Sequence, residues 1–189
     1  MNAVADDEFG APLDLEDLVY ESHKMAVEKG WWPEDGRLTD EIVNNLHSEV
    51  SEAWEEYRHG RLETWHADPD GDPAKQKPEG FWVEIADLMI RLGDCMGQYR
   101  WTPVYQNAFK CFDIPEFIDT LHKLIDTLTW NPELRGRITW SPTAGEQACK
   151  IMMTCLTFSK EHDHDIWTTI GDKMKFNATR AFRHGNLRA

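Results

Sequence analysis

Apolar residues along this chain recur at steps of three and four, and alternating runs of Val, Ile and Thr are missing. That periodicity predicts amphipathic helices throughout and no sheet. A first helix is expected over roughly Leu15 to Lys29, stopped by Gly30. A second, capped by Thr39 or Asp40, runs to about His59 and ends at Gly60. The stretch "HADPDGDPAKQKPEG" is dense in Pro, Gly and Asp and reads as a loop. A third helix follows, from about Glu79 to Tyr99. Pro115 in "DIPEFIDTLHKLIDTL" and Pro142 in "SPTAGEQACKIMMTCLTF" suit a first helical turn and mark a fourth and a fifth helix. A last one runs from about Asp165 towards Arg180, with Gly185 just beyond. The expected fold is all-α, one domain over residues 1–189.

Composition narrows the functional classes. The 189 residues are 41% apolar and include nine tryptophans, enough for a core. A net charge of −14 excludes binding duplex nucleic acid through its phosphates and suits a protein that gathers cations. No apolar run reaches membrane-spanning length. The beginning "MNAVADDEFG" is acidic rather than a basic leader, so an intracellular protein is expected, with Cys95, Cys111, Cys149 and Cys155 reduced.

The candidate chemistry lies in two acidic pairs. Glu49 and Glu52 stand three apart on the second helix, and Glu84 and Asp87 three apart on the third. Residues at i and i+3 share a helical face, so each pair can aim both carboxylates at one point. Four carboxylates brought together across the loop would repel unless a cation lay between them. Oxygen-only ligands suit Mg²⁺, or Mn²⁺, rather than zinc. Glu55 reads as surface charge, and so does Glu56, with less force. Lys173, Asn177 and Arg180 fall at i, i+4 and i+7, a polar stripe suited to phosphate oxygens, with Arg183 and His184 following. Trp31, Trp32, Trp54, Phe81 and Trp82 could wall a base pocket, Trp32 and Trp54 foremost, although aromatics in a bundle are usually core.

Weaker signals point elsewhere. The "EHDHD" stretch (His162 to Asp165) echoes a His/Asp metallohydrolase, with His122 and Asp172 as further partners, but it is short and sits at a helix start where Asp serves as a cap. The Asp119/His122 pair is a single near match to a di-iron motif that must appear twice. Glu84, Asp87, Arg91, Leu92 and Asp94 recur 32 residues on as Glu116, Asp119, Lys123, Leu124 and Asp126, which two acidic amphipathic helices explain without a duplication.

"SEVSEAWEEYR" followed by "KPEGFWVEIADLMIRLGD", and the later "KMKFNATRAFRHG", resemble the MazG-like nucleotide pyrophosphohydrolases, all-α nucleoside triphosphate pyrophosphatases, above all their phage and actinobacterial members. The likeness covers about residues 40–98 and 168–186. It implies Mg²⁺ on Glu49, Glu52, Glu84 and Asp87, with Glu52 as the base that orients water. It further implies a nucleoside triphosphate substrate, deoxy for preference, cleaved to monophosphate and pyrophosphate, a homodimer or homotetramer, and the cytoplasm of a bacterial or phage-infected cell. The chain departs from the pattern in a longer gap between Glu52 and Glu84 and in residues of about 100–164, an extra two-helix segment between core parts at about 14–98 and 165–186. A diphosphate-cleaving metallohydrolase and a non-catalytic helical interaction protein are the rival readings.

Overall fold

The computed structural model describes residues 14–68, 70–72, 76–130 and 139–182. These form a helical bundle: α1 (Leu15–Glu28), α2 (Thr39–Arg58), α3 (Phe81–Tyr99), α4 (Ile114–Asp126), α5 (Ala144–Glu161) and α6 (Ile166–Thr179). Among the described residues no helix is long and apolar enough to cross a membrane.

Local chemistry sets the helix ends. Asp14 caps α1 by accepting the amides of Glu16 and Asp17, Asp113 caps α4 ahead of Pro115, and Asp165 caps α6. Gly30 and Gly60 stop α1 and α2 in the left-handed region, at φ 76° and 71°. Two starts fall later than the pattern suggests. Glu79 pairs its backbone with Trp65, which holds it extended, so α3 begins at Phe81. Pro142 lies in the turn before α5, which begins at Ala144. The fold is all-α as expected, with one short strand pairing added. Thr129–Trp130 (β1) and Thr139–Trp140 (β2) pair antiparallel as a short clasp between α4 and α5, too brief to leave a period in the sequence.

Helix α3 is the axis of the bundle. It is buried on nearly all sides, as its "FWVEIADLMIRLGDCMG" run demands, and packs against α1, α2, α5 and α6. Gly93 and Gly97 let α1 approach closely: a Cβ at Gly97 would fall 2.4 Å from the Cβ of His23. The amide of Phe81 donates to the carbonyl of Arg61, which sets the start of α3 beside the end of α2 and makes the two run antiparallel.

The extra segment joins the same core. Phe117 of α4 stacks on Phe158 of α5 at 3.9 Å, and these two rings meet Phe81 and Trp82 of α3. Ile118, Leu121, Leu124, Ile125, Ile151 and Met152 are buried, and Leu156 is half-buried against them. Glu116 and Asp119, the echo of Glu84 and Asp87, are exposed. The repeated spacing therefore reflects two acidic amphipathic faces and gives no second acidic centre among the described residues. The four cysteines are buried and unbridged.

Candidate metal centre and adjoining cavity

Glu49 and Glu52 reach from α2 and Glu84 from α3 so that one oxygen of each lies within 4.8 Å of the others. Glu49 and Glu84 are 3% and 2% exposed, whereas Glu52 opens to solvent. Burial, and then the charge of Asp87, pushes the Glu84 carboxyl up to about 9. Burial likewise raises Glu49 to about 7, with Asp87 and Glu52 adding to the rise and Arg91 opposing it. Burial thus holds both carboxyls where each resists ionising. Among the described residues the buried Oε2 of Glu84 meets no donor. An all-oxygen set with an orphaned buried acceptor fits a hard divalent cation such as Mg²⁺.

Asp87 stands beside the three rather than among them. Its Oδ2 is 2.8 Å from the ammonium of Lys173 on α6. The position expected for Lys173 is corrected here. At 1% exposure, with Asp87 and the carbonyl of Pro78 as neighbours, it balances charge under the site and is not presented to a ligand. Arg91 plays the matching part on the other side, with its Nε 2.5 Å from Glu49 Oε1. Lys77, on the loop, donates to Glu79 and lies 4.0 Å from Glu84.

Next to the carboxylates a cavity of about 280 Å³ opens between α1, α3 and α6 and the segment joining α1 to α2. Asp87 and Arg91 form its near wall, Asn177 and Arg180 of α6 line it, and Trp31, Trp32, Arg37 and Asp94 close the far side. Asn177 and Arg180 of the expected stripe therefore face this space, whereas Lys173 does not. The ammonium of Lys29 fastens this wall by donating to the carbonyls of Ala178 and Arg180 at 2.5 and 2.7 Å, the open end of α6. Arg183 and His184 lie outside the described residues.

Of the two foremost base-pocket tryptophans, Trp32 lines the cavity and Trp54 does not. Trp54 packs against the core with Tyr57 at 5.3 Å, as its helical spacing within α2 favours. Phe81 and Trp82 are core residues. Glu55 is exposed beside Arg58 and His59, and Glu56 ties down the loop by accepting from the indole of Trp65 at 2.7 Å. The histidines of the weaker motifs do packing work. His164 stacks on Trp82 at 4.5 Å, His162 meets Phe158, and His122 stacks on His47.

Several residues that shape the site escape a search for acidic motifs: Arg91, Lys77, Lys29, Arg37 and Asp94. Arg91 and Asp94 stand seven residues after Glu84 and Asp87 on one face of α3, and Lys77 falls in the quoted KPEG stretch seven residues before Glu84. Lys29 and Arg37 arrive from distant parts of the chain. Comparison of the chain with protein-family models, with curated proteins and with solved structures finds no match.

Proposed function

We propose that this protein is a Mg²⁺-dependent nucleoside triphosphate pyrophosphohydrolase that releases a nucleoside monophosphate and pyrophosphate. One observation carries the reading. Three convergent glutamates, one with a buried oxygen that meets no partner among the described residues, lie beside Asp87 and Arg91, which line a cavity together with Asn177, Arg180 and Trp32.

Mg²⁺ on such a set supplies charge neutralisation for phosphate oxygens and a more acidic bound water. Glu49, Glu52 and Glu84 would hold it, with Asp87 adjacent. Glu52 is the exposed member, and the Ser48 hydroxyl steadies its Oε1 at 2.9 Å, so it is the carboxylate best placed to take a proton from an attacking water. Arg180, half-buried on the cavity wall, presents the paired donors that phosphate oxygens accept. Arg91 and Lys173 keep Glu49 and Asp87 from repelling one another and hold their geometry. Such positioning supplies most of the rate in phosphoryl transfer. The resemblance in the sequence supports an oligomer and a place in the nucleotide pool of a bacterial or phage-infected cell.

A panel of common ribo- and deoxynucleoside triphosphates with Mg²⁺ or Mn²⁺, assayed for pyrophosphate and monophosphate, tests the proposal. Orthophosphate as product, or turnover of diphosphates alone, would assign the site to a related hydrolase. The Arg91–Glu49 and Lys173–Asp87 pairs favour a second reading, a metal-free ionic network in a non-catalytic interaction protein. Calorimetric titration showing uptake of neither Mg²⁺ nor Mn²⁺ would establish that alternative.

A further inference from the structure

The cavity beside the carboxylates contains more polar groups than its own walls satisfy. Ser22 is 2% exposed and, among the described residues, its hydroxyl has no partner. Arg37 Nε and Asn177 Oδ1 are likewise buried without partners, and all three residues line the cavity. Leaving such atoms unpaired is costly, so this space suits a ligand with a hydrogen-bonding edge. Its indole walls, with the Arg37 guanidinium 5.4 Å from the Trp32 ring centre, suit a flat one.

Asp94 is the fixed point on the far side. Its Oδ1 accepts from the Trp32 indole at 2.6 Å and from His23 Nδ1 at 3.0 Å. An ionised carboxylate only accepts, so His23 must carry its proton on Nδ1, and the side chain is pinned from two sides. No donor among the described residues meets Oδ2. Arg37 lies close enough to feel the charge of Asp94, which puts a donor beside an acceptor on one wall. Along α3, Asp94 follows Asp87 by seven residues, two turns on the same face and about 10 Å along the axis. A nucleotide whose phosphates lie at the carboxylates would therefore turn its base towards Asp94.

On the triphosphate reading above, we propose that Asp94 reads the base and selects one that carries an exocyclic amine, as adenine, cytosine and guanine do. Adenine and cytosine set an amine donor beside a ring-nitrogen acceptor, which matches Asp94 next to Arg37. Guanine offers two adjacent donors to one carboxylate. Thymine and uracil offer a single N–H between two carbonyls, so an Asp94 oxygen placed against that edge meets carbonyl lone pairs. Trp32 and His23 are positioning residues that keep Oδ1 engaged and Oδ2 directed.

The test compares kcat/KM for dATP, dCTP, dGTP, dTTP and dUTP in the wild type and in Asp94→Asn. The variant keeps an oxygen for Trp32 and His23 but replaces the second acceptor with an amide donor. The expected result is a wild-type preference of roughly ten- to a hundredfold for at least one amine-bearing base over dTTP and dUTP. Asp94→Asn should narrow or invert that ratio by a similar factor while Mg²⁺ uptake is retained. A wild type that uses dTTP or dUTP as well as any amine-bearing triphosphate overturns the assignment. So does a variant that loses activity equally on all bases together with thermal stability, the mark of a merely structural Asp94. Should no triphosphate be hydrolysed, the pyrophosphohydrolase reading fails by itself. Calorimetry with deoxyadenosine, deoxycytidine, deoxyguanosine and thymidine then decides the base site, which stands if an amine-bearing nucleoside binds in preference and falls if thymidine binds equally or none binds.

Discussion

Replacing Glu84 with Gln should make the metal-free protein more stable in alkaline buffer while removing its response to Mg²⁺. The carboxyl is 2% exposed and raised from an ordinary 4.5 to about 9 by burial and by Asp87. A carboxyl raised in the folded state leaves stability undiminished below about 4.5 and erodes it as pH climbs to about 9, because only the unfolded chain ionises freely across that window. Each pH unit there costs the native state about 1.4 kcal/mol. At pH 8 the penalty reaches at most ~5 kcal/mol. Gln imitates the neutral carboxyl and removes the penalty, less what burying the amide group itself costs, so the net gain should be about 2–4 kcal/mol. Glu49 contributes its own slope only up to about 7. Between pH 7 and 8 the wild-type slope therefore belongs to Glu84 and should vanish in the variant. Nearer pH 9 the four buried cysteines, whose thiols burial pushes up, add a slope common to both proteins. Urea unfolding followed by tryptophan fluorescence, in chelator at pH 5, 7, 8 and 9, measures both quantities. Added Mg²⁺ at a hundred times its Kd should stabilise the wild type by about 2.7 kcal/mol and the variant hardly at all. A Glu84→Gln protein no more stable than the wild type at pH 8, or one that keeps the slope between pH 7 and 8, would refute this account of the buried cluster.

Arg180→Ala should lower kcat/KM for triphosphate roughly ten- to a hundredfold with Mg²⁺ affinity and melting temperature little changed, and Lys should restore only part, since it lacks the planar pair of donors. Full rescue by Lys would remove Arg180 from phosphate binding. Phe117→Ala, at a site with no exposure and a ring stacked on Phe158, should cost about 3–5 kcal/mol in urea unfolding. A loss below about 1 kcal/mol would mean that the segment from residue 100 to 164 is an appendage rather than part of the core. Glu55→Ala should leave both turnover and stability within error, its carboxylate being exposed beside Arg58 and His59. A collapse of activity in that variant would move the metal centre along α2.

Much of the architecture was legible from the order of residues alone. Helical period is a local property, so α1, α2, α4 and α6 begin and end close to where caps, prolines and glycines set them, and the shared faces of Glu49 with Glu52 and Glu84 with Asp87 follow from 3.6 residues per turn. The strand clasp at Thr129–Trp130 and Thr139–Trp140 and the extended Glu79 left no such trace, because a pairing of two residues or of one has no period to detect. Which charges meet was a matter for tertiary packing. Lys173 and Asn177 occupy successive turns of α6, yet one is buried on Asp87 and the other faces the cavity, a division that their spacing within α6 does not make. Asp94 reads in sequence as one more surface acid. It became the anchor of a pocket only when Gly93 and Gly97 let α1 approach α3, bringing His23 from 71 and Trp32 from 62 residues away onto the same carboxylate oxygen. Periodicity specifies a face, but only the packed bundle specifies what that face meets.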